Sequence, residues 1–220
     1  MKIIGYVKSD FPTKFAIPRQ SGVVPDIQAR IVFEAEYNVK EAFRGLEEYS
    51  HIWVLWQFSE SVREDWSPTV RPPKLGGNKR VGVFATRSPF RPNSIGLSSV
   101  KLERVEFDEN AGVVLHISGA DIMDNTPVYD IKPYIAYTDS HPDALCSFAL
   151  PPDKNLLTVD FPAQLSKKIP PEKIGALISV LEQDPRPAYI DDDRRYGFVF
   201  AGFEVGFRVK DGILKVESVE

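Results

Sequence analysis

The chain has 220 residues, a formal net charge of −4, 43% hydrophobic and 26% charged residues. That is ordinary globular composition, which excludes a disordered chain and leaves room for one large domain or a main domain with a small companion. The single cysteine, Cys146, excludes an intrachain disulfide and a cysteine-type zinc site, His51, His116 and His141 lack metal-ligand spacing, and no apolar run reaches the ~20 residues that span a bilayer. The amino-terminal stretch reads as a strand rather than a signal peptide, so a soluble cytoplasmic protein is expected.

In chain order, Ile3–Val7 predicts a first strand. A long polar loop carrying Pro18, Arg19 and Gln20 follows, and loops of that length in compact domains tend to be functional. Ala29–Phe33 predicts a second strand, and Asn38 with Glu41 as capping-box partner predicts a short helix to about Tyr49. His51–Phe58 predicts a fully buried strand, and Val81–Thr86 another after a basic Pro/Gly loop. Ser94–Phe107, with a bulge in its alternation, pairs with the run from Ala111 as an antiparallel hairpin, and Val128–Tyr134 adds a further strand interrupted by Pro133.

Six or seven strands with one short helix before residue 140, separated by many of the chain's 18 prolines, favour a mainly β fold with a closed or half-closed antiparallel barrel. Beyond residues 141–154, read as a linker, a strand at Leu156–Phe161 leads to a helix opened by Pro170 and Pro171. Ile174, Leu177, Ile178 and Leu181 give that helix one apolar stripe. Two or three strands between Tyr196 and Val219 follow, with Asp211-Gly212 as a hairpin turn, so residues 155–220 form a small α+β unit.

Charge is polarised. Between Arg63 and Arg91 stand seven basic residues, Arg63, Arg71, Lys74, Lys79, Arg80, Arg87 and Arg91, against Glu64 and Asp65. A solvated surface would carry such a run, but Trp66, prolines and glycines alternate with it, which suits a phosphate-rich partner. Within it, "ATRSPFRPNSIG" holds Arg87, Arg91 and Asn93 beside Pro89 and Pro92, whose rings freeze backbone torsions. Two rigidly mounted guanidinium forks suit a carboxylate or phosphate target, although a salt-bridge network with the chain's acids is the simpler fate.

The second candidate is "GADIMDNTPVYDIKPY", where Asp121, Asp124 and Asp130 surround a turn and Lys132 and Tyr134 share a sheet face with Asp130. Asn125 can take the left-handed conformation such a turn requires. A lysine, a carboxylate and a phenol form a usable acid/base set, and they equally suit an ordinary exposed face.

Together the stretches "FAIPRQSG", "LEEYSHIWVLWQF", "RPPKLGGNKRVGVFATRSPFRPNSIGLSSVKLE" and "DIMDNTPVYDIKPY" resemble the TrmO family of S-adenosylmethionine-dependent tRNA methyltransferases, over nearly the whole chain. The resemblance implies a non-Rossmann β-barrel enzyme acting as a homodimer. The implied reaction moves the methyl group of S-adenosyl-L-methionine to N6 of threonylcarbamoyl-adenosine at position 37 of a threonine tRNA. It implies a cofactor pocket drawn from Pro18, Arg19, Gln20, Ser59, Glu60, Arg87, Leu97, Ile122, Met123, Asp124 and Asn125. Relatives often carry histidine at the position of Ser59 and glycine at that of Asn125. No metal is implied, because methyl transfer from a sulfonium needs alignment and removal of one proton.

On that chemistry Asp130 or Asp124 takes the proton, with Lys132 and Tyr134 positioning the base. Arg87 or Arg91 grips a carboxylate or phosphate, and Asn93, Lys79, Arg80 and the carboxy-terminal unit contact the RNA. The arginine loop and the aspartate-rich crossing are then expected to converge on one cavity. Two other readings compete: a non-catalytic RNA-binding barrel, and a methyltransferase for a carboxylate-bearing small molecule.

Overall fold

A computed structural model describes residues 1–149, 156–187 and 192–220. Period-2 alternation of apolar and polar residues builds the first unit. Strands β1 (Gly5–Lys8), β2 (Gln28–Phe33) and β3 (His51–Gln57) are followed by a two-stranded ribbon of β4 (Thr69–Val70) and β5 (Val81–Gly82). The long β6 (Ile95–Asp108), β7 (Gly112–Ser118) and β8 (Pro127–Pro133) complete it. The strands close in the order β1-β2-β7-β6-β3-β8, and β8 returns to β1 through the pair Gly5↔Val128. All pairings in this barrel are antiparallel, and closure leaves no open edge. Val7, Ile31, Ile52, Val54, Val100, Leu115, Ile117 and Val128 fill its interior.

Several expected elements change character. The segment from Asn38 to Tyr49 makes two 3-10 turns, Lys40–Phe43 and Leu46–Glu48, because Gly45 between them sits at φ 85° and breaks any longer helix. Asn38 does not cap it. Its amide donates to the Ala111 carbonyl and accepts from the Val113 N–H, fastening β7. Strand β3 is buried on alternate residues only, so Trp53 and Leu55 face outward. The run Val81–Thr86 stays a strand for two residues and then coils as a 3-10 turn over Val83–Ala85, which buries Val83 and leaves Phe84 73% exposed. The expected bulge lies between Leu102 and Arg104, and Pro133 ends its strand rather than interrupting it.

A short helix α1 (Ala136–Asp139) leaves the barrel, and Asp139 accepts hydrogen bonds from the Trp53 indole at 2.7 Å and the Ile135 N–H at 3.0 Å. Residues 150–155, which include the end of the expected linker, lie outside the described residues. Beyond it come β9 (Thr158–Asp160), α2 (Ala163–Ser166), α3 (Pro171–Glu182), β10 (Tyr196–Phe200), β11 (Phe203–Lys210) and β12 (Ile213–Val219). They form a second sheet in the order β10-β11-β12-β9, with β9 parallel to β12. Asp211 and Gly212, both at positive φ, make the expected hairpin turn. Helix α3 buries Ala176, Leu177, Val180 and Leu181, a face rotated from the expected stripe, and Ile178 is only half-buried.

This second core is not self-contained. Phe11, Ala16, Val24 and Ile27, all from the connection between β1 and β2, are buried in the same cluster as Leu177, Phe200 and Phe207. Phe11 meets Phe200 edge-on at 5.3 Å, and Lys173 pairs with Asp10 at 2.5 Å. The loop that reads as polar and functional is therefore half core.

Candidate active site

Pinning that connection at both ends fixes its middle. The Gly22 N–H donates to the Gly119 carbonyl at 2.8 Å, which sets Gln20 and Ser21 beside the start of the aspartate-rich crossing. The Arg87 guanidinium donates to the Gln20 side-chain oxygen, so the early loop and the arginine loop touch directly. Asp121 completes the group. Its carboxylate accepts from the Ser98 hydroxyl at 2.6 Å, and Ser98 in turn accepts from the Trp56 indole at 3.0 Å.

Burial raises the Asp121 pKa above the ordinary aspartate range, and the Ser98 hydroxyl, the backbone at Asp121 and Ser21 and the nearby positive Arg87 oppose it only in part. A carboxylate so held is a stronger base than an exposed one and sits beside a cation that can orient an anionic partner. Trp56 itself is locked by Gly96, where any Cβ would lie 2.3 Å from the indole.

The remaining arginine of the loop does not join an acid. Arg91 donates to the carbonyls of Thr86 at 2.8 Å and Ser88 at 3.3 Å, which stiffens the loop from within. Asn93 and Lys79 are exposed, and Arg80 donates to the Thr69 hydroxyl at 2.9 Å.

The three aspartates of the crossing part company. Asp124 closes the turn: it accepts the Ser9 N–H at 3.0 Å and the Asn125 amide at 2.7 Å, while Asn125 takes φ 58° and receives Lys8. Asp124 also lines a cleft of about 430 Å³ with Lys8, Asp10, Arg30, His116 and Lys173, none of them from the arginine loop. Asp130 lies opposite Leu55 on the outer barrel face, paired with Lys132 at 2.9 Å, and the Tyr134 ring lies 5.5 Å from that of Trp53 on the same side, tilted by 47°.

Of the residues expected to hold the cofactor, Gln20 and Arg87 are in contact, with Pro18 and Arg19 on the same short stretch. Ser59 and Glu60 lie exposed in the turn after β3, Ile122 is buried under the crossing, Met123 is half-buried, and Leu97 faces outward with 53% exposure. Ser98 carries no motif signal in the sequence, and the sequence does not separate Asp121 from Asp124 and Asp130. A serine alternating with Val100 on the inward side of β6 was the available signal.

The family model of the tRNA-methyltransferase O N-terminal domain matches residues 6–140, and that of the TrmO C-terminal domain matches residues 154–220. The chain belongs to the TrmO family. It is 41% identical to a tRNA (adenine(37)-N6)-methyltransferase of Escherichia coli K12, covering 99% of this chain and 96% of that one. It is 45% identical to the protein of the same name from Eikenella corrodens, over 78% of this chain and 97% of the relative. The crystal structure of TrmO from Pseudomonas aeruginosa superposes with a TM-score of 0.78 at 32% identity, covering 99% of this chain and 97% of the other. The closed barrel and the second sheet of this chain thus have the TrmO architecture.

Proposed function

We propose that this chain is an S-adenosylmethionine-dependent tRNA (adenine(37)-N6)-methyltransferase. Its substrate on this reading is the threonylcarbamoylated adenosine of a threonine tRNA, and it works as a cytoplasmic homodimer. Support comes from membership of the TrmO family and from relatives that carry this activity in their names. The observation that carries the mechanism is the Arg87–Gln20 hydrogen bond, with the Ser98-bonded carboxylate of Asp121 near enough to feel the Arg87 charge.

The donor fits that chemistry. A half-buried carboxylate beside a guanidinium complements a ligand carrying both a cationic sulfonium and amino-acid charges of either sign. Bound S-adenosylmethionine supplies an electrophilic methyl carbon and a neutral sulfide leaving group. For N6 to accept a methyl group its proton must leave. Urea-type N6 is a poor nucleophile until it does, so a carboxylate of raised basicity is the protein's main chemical contribution. Asp121 takes that proton, Ser98 and Trp56 fix the orientation of its carboxylate, and Arg87 steers the carboxylate of the threonyl group. Leu97, with its exposed side chain on the outer barrel face, suits a subunit contact.

Asp121→Asn keeps the shape and loses the base, so kcat falls about 100-fold or more, a larger loss than that in the affinity for S-adenosylhomocysteine by calorimetry. In the wild type, turnover rises with pH through a pKa above the ordinary aspartate value of about 3.9. Wild-type turnover by Asp121→Asn, with loss in Asp130→Asn or Asp124→Asn, moves the base to that residue. Absence of methyl incorporation at adenine 37 of any tRNA, modified or not, overturns the activity itself.

A further inference from the structure

The 3-10 turn that displaces the expected strand puts Phe84 at the surface, where Trp66 and Phe90 are exposed as well. Phe84 is 73% exposed, Trp66 51% and Phe90 37%. Trp66 and Phe84 lie with centroids 6.1 Å apart and planes 33° from parallel, the Arg91 guanidinium stands 5.9 Å from the Phe84 ring, and that of Arg63 stands 3.9 Å from Phe90. The rings rest on a fixed base. Val83 is fully buried, its N–H donates to the Pro68 carbonyl at 2.9 Å, and the Thr86 hydroxyl donates to the Val83 carbonyl at 2.8 Å.

The charge around them is predominantly positive, with Glu64 and Asp65 the only acids between Arg63 and Arg91. Among the described residues, Arg63, Arg71, Lys79, Arg80 and Arg91 form no salt bridge with any carboxylate. Exposed aromatic faces set among unpaired guanidinium groups complement a ligand that offers flat π-faces and regularly spaced negative charge, which is a single-stranded nucleic acid. A duplex would bury its base faces and leave Trp66 and Phe84 without contact. A second protein copy would need acids to meet the five cations, and would leave them repelling their equivalents in an isologous contact.

We infer that Trp66, Phe84 and Phe90, with Arg63 and Arg91, form a stacking platform for unpaired nucleotides of the RNA substrate, separate from the Gln20–Arg87–Asp121 group, with Phe84, Phe90 and Arg91 on the same loop as Arg87. The platform holds the strand that flanks the target adenosine, and Arg63, Arg71, Lys79 and Arg80 take its phosphates. This inference rests on the proposed action on tRNA and adds the means by which an unpaired loop, rather than a paired stem, is selected.

Trp66 is the most exposed of the three tryptophans, so it reports contact directly. An RNA hairpin with an adenosine-containing loop, titrated into the full-length protein, quenches the indole fluorescence, and Trp66→Phe removes the quench while retaining most of the binding. The same sequence annealed into a full duplex leaves the fluorescence unchanged. Trp66→Ala and Phe84→Ala each raise the KM for tRNA about 10-fold, with the affinity for S-adenosylhomocysteine and the sedimentation coefficient unchanged. Equal quenching by duplex, an unaltered KM in both alanine variants, or a shift of those variants to a smaller assembly overturns the platform. A wild-type protein that neither binds nor methylates RNA overturns the proposed function instead, a result the variants cannot produce.

Discussion

The two cores of this molecule are assembled on different plans. The barrel fills its interior from its own strands, each contributing alternate residues, and the turns around it carry little of that burial. The carboxy-terminal sheet covers one face with α3 and completes its core with Phe11, Ala16, Val24 and Ile27, which lie more than a hundred residues earlier. The same connection carries Gln20 and Ser21 to Arg87 and Asp121. Packing in the second core therefore sets the geometry of a site whose other residues belong to the first. A unit that looks like an appendage acts as a clamp on the loop that carries Gln20.

Phe11→Ala tests that coupling most severely. It empties a fully buried aromatic site against Phe200, which costs about 3–5 kcal/mol of stability. Calorimetric melting is expected to show the carboxy-terminal unit destabilised, together with weaker binding of S-adenosylhomocysteine because Gln20 loses its anchor. Normal ligand binding in a variant so destabilised would uncouple the two cores.

Gly96→Ala strikes the barrel side instead. Its Cβ would overlap the Trp56 indole at 2.3–2.5 Å, forcing the ring off Ser98 at a cost of about 1–3 kcal/mol. Turnover is expected to fall through a misplaced Asp121 carboxylate, while the carboxy-terminal sheet melts as in the wild type. A lowered melting temperature in both units would mean that the clamp works in both directions.

The smallest effect is one of pH. Asp121 has its pKa raised in the folded state, so folding favours its protonated form. Its contribution to stability is complete below the unfolded value of about 3.9 and is lost as pH rises through the raised folded value. Asp121→Asn lacks that loss, so its melting temperature relative to the wild type is expected to rise across that window and then level off. A constant difference from pH 3 to pH 8, on the order of the full titration range, would show that burial does not hold the carboxylate.

The contrast also explains which parts of the molecule were legible in the linear chain. Alternation marked most barrel strands, the Leu102/Arg104 bulge and the Asp211-Gly212 turn, because strand faces and tight turns are decided by neighbours in sequence. Asn125 at positive φ was readable for the same reason. The apolar run at Val81–Thr86 misled, since an apolar segment of that length cannot show whether it will pair or coil. Only the fold decided it, by burying Val83 and turning Phe84 outward.

By itself the sequence determined a mainly β, barrel-like architecture, the polarised arginine-rich loop and kinship with one family, all of which depend on local periodicity, composition or motif order. Tertiary structure alone decided that Asp121, rather than Asp124 or Asp130, stands with Arg87, and that an early loop completes a distant core. Those outcomes depend on which surfaces meet in space. Three aspartates within ten residues look alike in a chain, and burial and neighbouring charge make them different.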